Sequence, residues 1–282
     1  MQNLSDISVI RSVLEKHGFN FSKALGQNFL INPSVCPRMA EYSLADENTG
    51  VIEIGAGIGV LTAELAKIAK KVVCVELDTR LLPILDETLA DFDNIEIVNA
   101  DVMKTDLKAL IEEKFQGMDV VVCANLPYYI TSPVITMLLE SRLPIKAVTV
   151  MIQKEAADRL CTPVGSRDSG AITVCTNYYA EVRQLFNVSR GSFMPAPNVD
   201  STVIRLDIRE NPAVVVSDEK KFFRMVKAAF AQRRKTALNS ISSGMGISKT
   251  QVAEALAASG LDENVRAEKL TMQELATLCE NL

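Results

Sequence analysis

The sequence contains no tryptophan and a single histidine, His17, which argues against histidine-based metal sites and Ser-His-Asp triads. Its six cysteines form no C-x-x-C pair, so we expect buried free thiols and neither zinc sites nor disulfides. No run approaches the roughly 18 uncharged apolar residues that cross a bilayer. The first residues also lack the basic start and apolar stretch of a secretory signal. We therefore expect a cytoplasmic protein with no membrane partner and no metal.

Charge is distributed unevenly along the chain, although the formal net charge is only −5. Residues 41–119 hold 17 acidic and 7 basic residues, whereas the remainder holds 18 and 23. Attraction to nucleic-acid phosphates depends on local basic surfaces and not on the total. The acidic balance therefore does not exclude a nucleic-acid partner.

Short β-rich runs alternate with amphipathic helical runs between residues 50 and 152. Strands are predicted at 51–54, 72–75, 95–99, 119–124 and 147–152, with helices such as 60–70 and 80–90 between them. Several strands are apolar throughout, as expected where helices cover both faces of a parallel sheet. The alternation predicts a doubly wound, Rossmann-like α/β fold.

The character of the chain changes near residue 210. Before it, strands are predicted at 182–188 and 202–208, separated by a loop rich in Gly and Pro. After it, short helices are predicted at 220–231, 235–242, 249–259 and 272–281. The sequence thus predicts two domains, an α/β domain over residues 1–210 and a small all-helical domain over residues 211–282.

A glycine-rich turn, Gly55-x-Gly57-x-Gly59, follows the first predicted strand. Glycines there permit a tight turn and let a ligand approach the backbone, but nicotinamide enzymes use a similar turn. The glycine motif of nicotinamide-binding enzymes has Gly or Ala at the position where this chain has Val60. The Glu53 carboxylate also suits a zwitterionic amino-acid ligand better than a pyrophosphate. The pattern resembles the first motif of class I methyltransferases, which bind S-adenosylmethionine.

Acidic residues follow the next two predicted strands. Glu76 stands 21 residues after Gly55, where a carboxylate accepts hydrogen bonds from both ribose hydroxyls of a nucleotide cofactor. This spacing applies equally to NAD. Asp101 follows the third strand, where it can accept from an adenine amine, which fits an adenosyl group. Together with Glu53, they give three acidic residues at corresponding places in successive predicted strands beside one glycine turn. This arrangement indicates a cofactor site.

The fourth predicted strand runs directly into Asn125-Leu126-Pro127-Tyr128. The Asn125 side-chain oxygen and the Leu126 carbonyl are two acceptors that can hold both hydrogens of an adenine amine. Pro127 would stiffen the turn, and Tyr128 could stack on the base. We therefore predict that this corner, called the NLPY corner below, is the catalytic site. DNA adenine methyltransferases have a similar motif with proline in place of Leu126, so the corner alone does not fix the nucleic acid.

Four further stretches make the chain resemble the ribosomal RNA adenine dimethyltransferase family. They are residues 25–30 (LGQNFL), 153–155 (QKE), 193–201 (FMPAPNVDS) and 229–236 (AFAQRRKT). The resemblance runs from about residue 20 to the C-terminus. Two departures occur in the proline-rich stretch, where Ala196 and Asn198 replace a proline and a lysine common in the family.

This resemblance implies a substrate and further site residues. The substrate would be two adjacent adenines near the 3′ end of small-subunit ribosomal RNA, each receiving two methyl groups. Asn28 and Leu30 would line the cofactor site. The position of Phe193, on a loop beyond the later strands, independently suggests that it covers the target base or else anchors the core. A local excess of basic residues between 220 and 235, including Arg233, Arg234 and Lys235, suits RNA phosphates. A solvated helix surface, or a structural role for the two arginines, stays open as the alternative.

The sequence therefore predicts an S-adenosylmethionine-dependent ribosomal RNA dimethyltransferase that acts as a monomer on immature small subunits. Two alternatives stay open at this point. One is an assembly factor that binds immature small subunits, with methylation secondary. The other is a nicotinamide oxidoreductase, which Val60, Glu53 and the lack of a catalytic His or Tyr-Lys pair oppose.

Overall fold

A computed structural model describes residues 4–22 and 26–282. The strands form one seven-stranded sheet and one separate sheet of two short strands. The strands are β1 (Phe29–Leu30), β2 (Thr49–Ile54), β3 (Lys71–Glu76), β4 (Ile95–Asn99), β5 (Asp119–Asn125), β6 (Ala147–Gln153), β7 (Ala180–Val188), β8 (Phe193–Met194) and β9 (Ser201–Ile208).

The large sheet has the order β4-β3-β2-β5-β6-β9-β7. Strands β2 to β6 are mutually parallel, while β9 runs antiparallel to β6. Strands β2 and β5 are buried along most of their length, which explains their continuous apolar character. The chain leaves β2 towards β3 on one side and returns to β5 on the other, so the strand order reverses at β2. Such a reversal opens a crevice at the carboxyl ends of the strands.

The described residues also form α-helices, several of which connect the parallel strands. They are α1 (Ile7–Lys16), α2 (Val35–Tyr42), α3 (Val60–Ala66), α4 (Leu82–Thr88), α5 (Leu107–Lys114), α6 (Thr131–Glu140), α7 (Lys154–Cys161), α8 (Ala171–Tyr179), α9 (Glu219–Phe230), α10 (Ala237–Met245), α11 (Lys249–Ala258) and α12 (Met272–Asn281). None of these helices has the length and apolar character needed to span a membrane.

The predicted doubly wound α/β fold is confirmed, and some predicted elements differ in extent. Helix α3 ends at Ala66, four residues before the predicted end, because the chain must turn into β3 at Lys71. The Gly- and Pro-rich loop contains a strand that was not predicted, since Phe193 pairs with Leu30 in a two-residue antiparallel ladder. Strands of only two residues are too short to show the alternation of apolar and polar residues by which strands are predicted from sequence.

The chain divides into two compact units. The first comprises residues 1–157 and 183–208, and the second comprises residues 158–182 and 209–282. Residues 158–182 thus join the C-terminal helices, whereas the sequence placed them in the first domain. In the second unit, Tyr178, Tyr179, Phe222 and Phe223 form a cluster of ring contacts where α8 meets α9.

Candidate active site

A cavity of about 300 Å³ opens at the carboxyl ends of β2, β3, β4 and β5. Its walls come entirely from the first unit: residues 26–30, the glycine turn, the ends of β3 and β4, the NLPY corner and Phe193. This is the crevice expected where the strand order of a doubly wound sheet reverses. Its volume lies at the lower end of the range of small-molecule sites.

The glycine turn is fastened to the end of the neighbouring strand by Glu76. Gly57 donates its backbone N–H to Oε2 of Glu76 at 3.1 Å, and Asp78 donates its N–H to Oε1 at 2.8 Å. Gly57 has φ +61°, a backbone conformation that residues with side chains rarely adopt, so a side chain there would be strained. Burial raises the pKa of Glu76. Each carboxylate oxygen keeps a second lone pair for a ligand hydroxyl.

Glu53 lies below the turn and is only 1% exposed. It pairs in register with Cys74 on β3 and Cys123 on β5, and the Cys74 thiol donates to its carboxylate at 3.3 Å. Burial raises the pKa of Glu53 to about 7, against the opposing effect of hydrogen bonds from Thr62 and Cys74. The group is therefore partly neutral near pH 7, whereas the sequence suggested a simple carboxylate. Glu53 lines the cavity, as a cofactor contact requires.

Asp101 lies in the loop after β4 and is half-buried. Its Oδ1 accepts the backbone N–H of Met103 at 3.0 Å, and Lys104 lies 3.5 Å from Oδ2. The first bond closes a short turn that fixes the carboxylate beside Val102, which also lines the cavity. Asp101 thus offers an acceptor next to an apolar surface, an arrangement suited to an adenine with its amine.

The N-terminal segment is held over the cavity by a polar network. Gln27 donates its side-chain N–H to Asp78 at 2.8 Å, and Arg80 makes a two-point contact with the same carboxylate. Arg80 also donates to the Asn20 carbonyl at 3.2 Å. Asn28 and Leu30 both line the cavity, so the structure brings them beside the glycine turn. Leu25, the first residue of the family-like LGQNFL stretch, lies outside the described residues.

The NLPY corner closes the cavity at the end of β5. Leu126 donates its N–H to the Met151 carbonyl on β6 at 3.2 Å, and its side chain is buried. Within residues 4–22 and 26–282, no group hydrogen-bonds to the Asn125 side chain or donates to the Leu126 carbonyl. Two acceptors thus stand without partners at a wall of the cavity. Tyr128 is half-buried and also lines it.

Phe193 combines the two roles left open by the sequence. It is 4% exposed and belongs to the hydrophobic core, yet it also lines the cavity. Its position is set by the ladder with Leu30 and by the neighbouring bond from the Ile31 N–H to the Ser192 carbonyl at 2.9 Å.

The basic segment belongs to the second unit, where it forms the turn between α9 and α10. Arg233, Arg234 and Lys235 are all exposed. Arg233 donates to the Arg167 carbonyl at 3.5 Å, a contact within the same unit. No carboxylate in the described part of the chain pairs with Arg234 or Lys235, so their charges face solvent.

Several cavity residues were not singled out from the sequence. Gln27, Leu77, Val102 and Met103 are among them. Gln27 lies within the LGQNFL stretch of residues 25–30, and Leu77 and Val102 directly follow Glu76 and Asp101. Their position next to these motifs is the sequence feature that could have identified them. Ser201, which hydrogen-bonds to Tyr128, ends another such stretch.

The residues that line the cavity fit S-adenosylmethionine. Strand-end carboxylates at Glu76 and Asp101 match the ribose hydroxyls and the adenine amine. Apolar side chains between them, including Leu77 and Val102, match the flat faces of a purine. Gly55, Gly57 and Gly59 all have positive φ, and the absence of side chains in this turn leaves room for a ligand to approach the backbone.

This sheet and cavity define a class I S-adenosylmethionine-dependent methyltransferase. The sequence model of the family described as ribosomal RNA adenine dimethylase matches residues 18–282. The chain therefore belongs to the ribosomal RNA adenine dimethylase family, and the predicted resemblance is confirmed. Membership makes ribosomal RNA the substrate and S-adenosylmethionine the cofactor, so the nicotinamide alternative is not supported.

Relatives match along nearly the whole chain. Ribosomal RNA small subunit methyltransferase A of Anoxybacillus flavithermus is 49% identical over 276 residues, which cover 96% of this chain and 94% of that protein. The same-named protein of Alkaliphilus oremlandii is 46% identical over 283 residues, which cover 100% and 99%.

Solved structures agree with the fold. A dimethyladenosine transferase from Plasmodium falciparum has a TM-score of 0.73 at 25% identity, covering 89% of this chain and 95% of that one. The 23S rRNA methyltransferase ErmE has a TM-score of 0.68 at 28% identity, covering 90% and 99%.

Proposed function

We propose that this protein dimethylates the exocyclic amines of two adjacent adenosines near the 3′ end of small-subunit (16S) ribosomal RNA. The relatives named for the small ribosomal subunit support this choice over other RNAs. The observation that carries the chemistry is the pair of unpartnered acceptors at the NLPY corner, on the wall of the cavity that also contains the glycine turn.

In the proposed reaction the chain's residues act by positioning. Asn125 and the Leu126 carbonyl each accept one hydrogen of the amine, which leaves the nitrogen lone pair directed away from both. Tyr128 supports one face of the extruded base, and Phe193 lies at the opposite side. Pro127 holds the turn rigid. The residues Asn28, Leu30, Glu53, Gly55, Gly57, Glu76 and Asp101 hold the cofactor.

When bound, S-adenosylmethionine supplies a methyl group on a positively charged sulfur. That methyl group would pass to the amine nitrogen, the electron pair of its former bond would stay on the cofactor, and the amine would release one proton to water. The neutral acceptors at the corner do not protonate the amine, so alignment and electrostatics provide the rate. The scheme includes no metal ion.

We assign catalysis to residues 1–210 and contacts with RNA phosphates to the helical domain of residues 211–282. Two observations support the second assignment: the exposure of Arg233, Arg234 and Lys235, and the cationic excess of that part of the chain. The proposed substrate is the immature small subunit, in the cytoplasm, with the enzyme acting as a monomer. Membership of an enzyme family favours methylation over an assembly role as the primary function.

Asn125→Ala tests the proposal. We expect transfer of radiolabelled methyl groups to unmethylated small subunits to fall by at least about 100-fold, because the amine loses its alignment. Nucleoside analysis of the wild-type product should give dimethyladenosine. Asn48→Ala is a matched control, since Asn48 is exposed at the amino end of β2, away from the cavity. Near-normal transfer by the Asn125 variant, or label on another base, would refute the assignment.

A further inference from the structure

A serine of β9 contacts the tyrosine of the NLPY corner. The Tyr128 hydroxyl and the Ser201 hydroxyl lie 2.8 Å apart. Ser201 is completely buried and Tyr128 is half-buried at the cavity wall. A hydrogen bond from a buried, immobile partner fixes the direction of a tyrosine ring far better than one from water would.

The strand register explains how this contact arises. Asn125 on β5 is level with Met151 on β6, and Gln153 on β6 is level with Ser201 on β9. The corner is thus tied to β6 through the Leu126 N–H, which donates to the Met151 carbonyl at 3.2 Å. Through Tyr128 it is tied to β9, one strand further along the sheet.

The same region of β9 is itself anchored at its start. Lys154 donates its N–H to the Asp200 carbonyl at 3.0 Å, and Arg190 donates its N–H to the Asp200 carboxylate at 2.9 Å. These bonds therefore fix the position of Ser201, the first residue of β9, along the neighbouring strand β6. The segment that begins with Phe193 ends at Ser201. This one segment therefore contains Phe193 and also positions Tyr128, the two aromatic residues of the proposed base site.

The neighbouring tyrosine provides a contrast. Tyr129 is 56% exposed, and no described residue hydrogen-bonds to its hydroxyl. Its ring lies against the N-terminal segment, where a Cβ added to Gly26 would come within 3.4 Å of it. Of the two adjacent tyrosines, only Tyr128 is oriented by a hydrogen bond within the described residues.

We propose that Ser201 is a positioning residue that sets the angle of the Tyr128 ring against the extruded adenine. This inference rests on the proposed function. Ser201 touches neither the base nor the cofactor in this scheme, and its effect on turnover passes entirely through the Tyr128 hydroxyl. Removing either hydroxyl leaves the ring present but free to tilt.

A double-mutant cycle tests the proposal with Ser201→Ala, Tyr128→Phe and the combined variant on unmethylated small subunits. We expect each single change to lower kcat by about five- to tenfold, the range of one lost hydrogen bond. The combined variant should be no slower than the slower single variant. KM for the subunit should change less than twofold, because most subunit contacts lie elsewhere, and the cofactor Kd should not change.

Thr202→Val is the matched control. Thr202 is equally buried on the same strand, but its hydroxyl donates to Asn187 at 2.8 Å and points to the other face of the sheet. It should lose thermal stability and keep the wild-type kcat.

Wild-type turnover by Ser201→Ala would overturn the proposal, as would a combined variant whose loss is the product of the two single losses. A lowered kcat in Thr202→Val would also overturn it, since general weakening of β9 would then explain the effect. Wild-type protein that fails to methylate adenine in small subunits would instead overturn the proposed function, and this inference with it.

Discussion

Replacing the buried Glu53 by glutamine should change how stability depends on pH. Glutamine keeps the size of the side chain and one acceptor oxygen, replaces the other oxygen with an amide NH2 group, and cannot ionise. The pKa of Glu53 rises from 4.5 to about 7 on folding, because the carboxyl group is buried. The folded protein therefore binds more protons than the unfolded chain between these values, and wild-type stability falls as pH rises through this interval.

The size of the effect follows from the same pKa. Each pH unit between the two values corresponds to about 1.4 kcal/mol, so ionised Glu53 destabilises the fold by about 3 kcal/mol above pH 7. The stability of the wild type relative to Glu53→Gln should thus decrease by about that amount from pH 4.5 to pH 7 and then level off. The like charge of Glu76 also contributes to the raised pKa of Glu53.

Urea unfolding of the two proteins at a series of pH values between about 4.5 and 8 measures this difference directly. The exposed carboxyl variant Glu47→Gln serves as the control at the other end of β2. A difference between wild type and Glu53→Gln that stays constant with pH would refute the reasoning. It would mean that Glu53 ionises as readily in the folded protein as in the unfolded chain.

Three further changes have expected outcomes. A Cβ at Gly50 would lie 2.1 Å from the Phe115 ring, so Gly50→Ala should lower the free energy of unfolding by about 1–3 kcal/mol or more, as measured by thermal unfolding. The control Gly191→Ala would make only ordinary contacts and should leave the free energy of unfolding nearly unchanged. Asn94 donates to two carbonyls at the end of α3, at 2.9 and 3.0 Å, and Asn94→Ala should cost about 1–3 kcal/mol in urea unfolding; an unchanged midpoint would contradict this role. Asp101→Ala should raise the cofactor Kd by about tenfold in calorimetry, with a small loss of thermal stability because the Met103 N–H loses its acceptor, and an unchanged Kd would remove Asp101 from the cofactor site.

Sequence patterns predicted the elements whose physical cause is local. The strands around the glycine turn are apolar throughout because both of their faces are covered, and that run is visible in the residues themselves. The carboxyl ends of parallel strands meet at one edge, so Glu53, Glu76, Asp101 and Asn125 could be placed together before any coordinates.

Features that depend on distant partners were not predictable in this way. The ladder between Leu30 and Phe193 joins residues far apart in the chain and is only two residues long. The partial neutrality of Glu53 results from its burial between thiols on two neighbouring strands. The contact between Tyr128 and Ser201 depends on the register of three strands, which no single stretch of sequence encodes.

The β1–β8 ladder and the insertion of β9 between β6 and β7 have a consequence for the nascent chain. During translation, residues 49–153 can assemble the parallel strands and the glycine turn, but Phe193 and Ser201 have not yet been synthesised. A chain stalled before residue 193 lacks one wall of the cavity and the hydroxyl that steadies Tyr128. C-terminal truncations that end before β9 should consequently not yield a minimal catalytic fragment, however well their parallel strands fold.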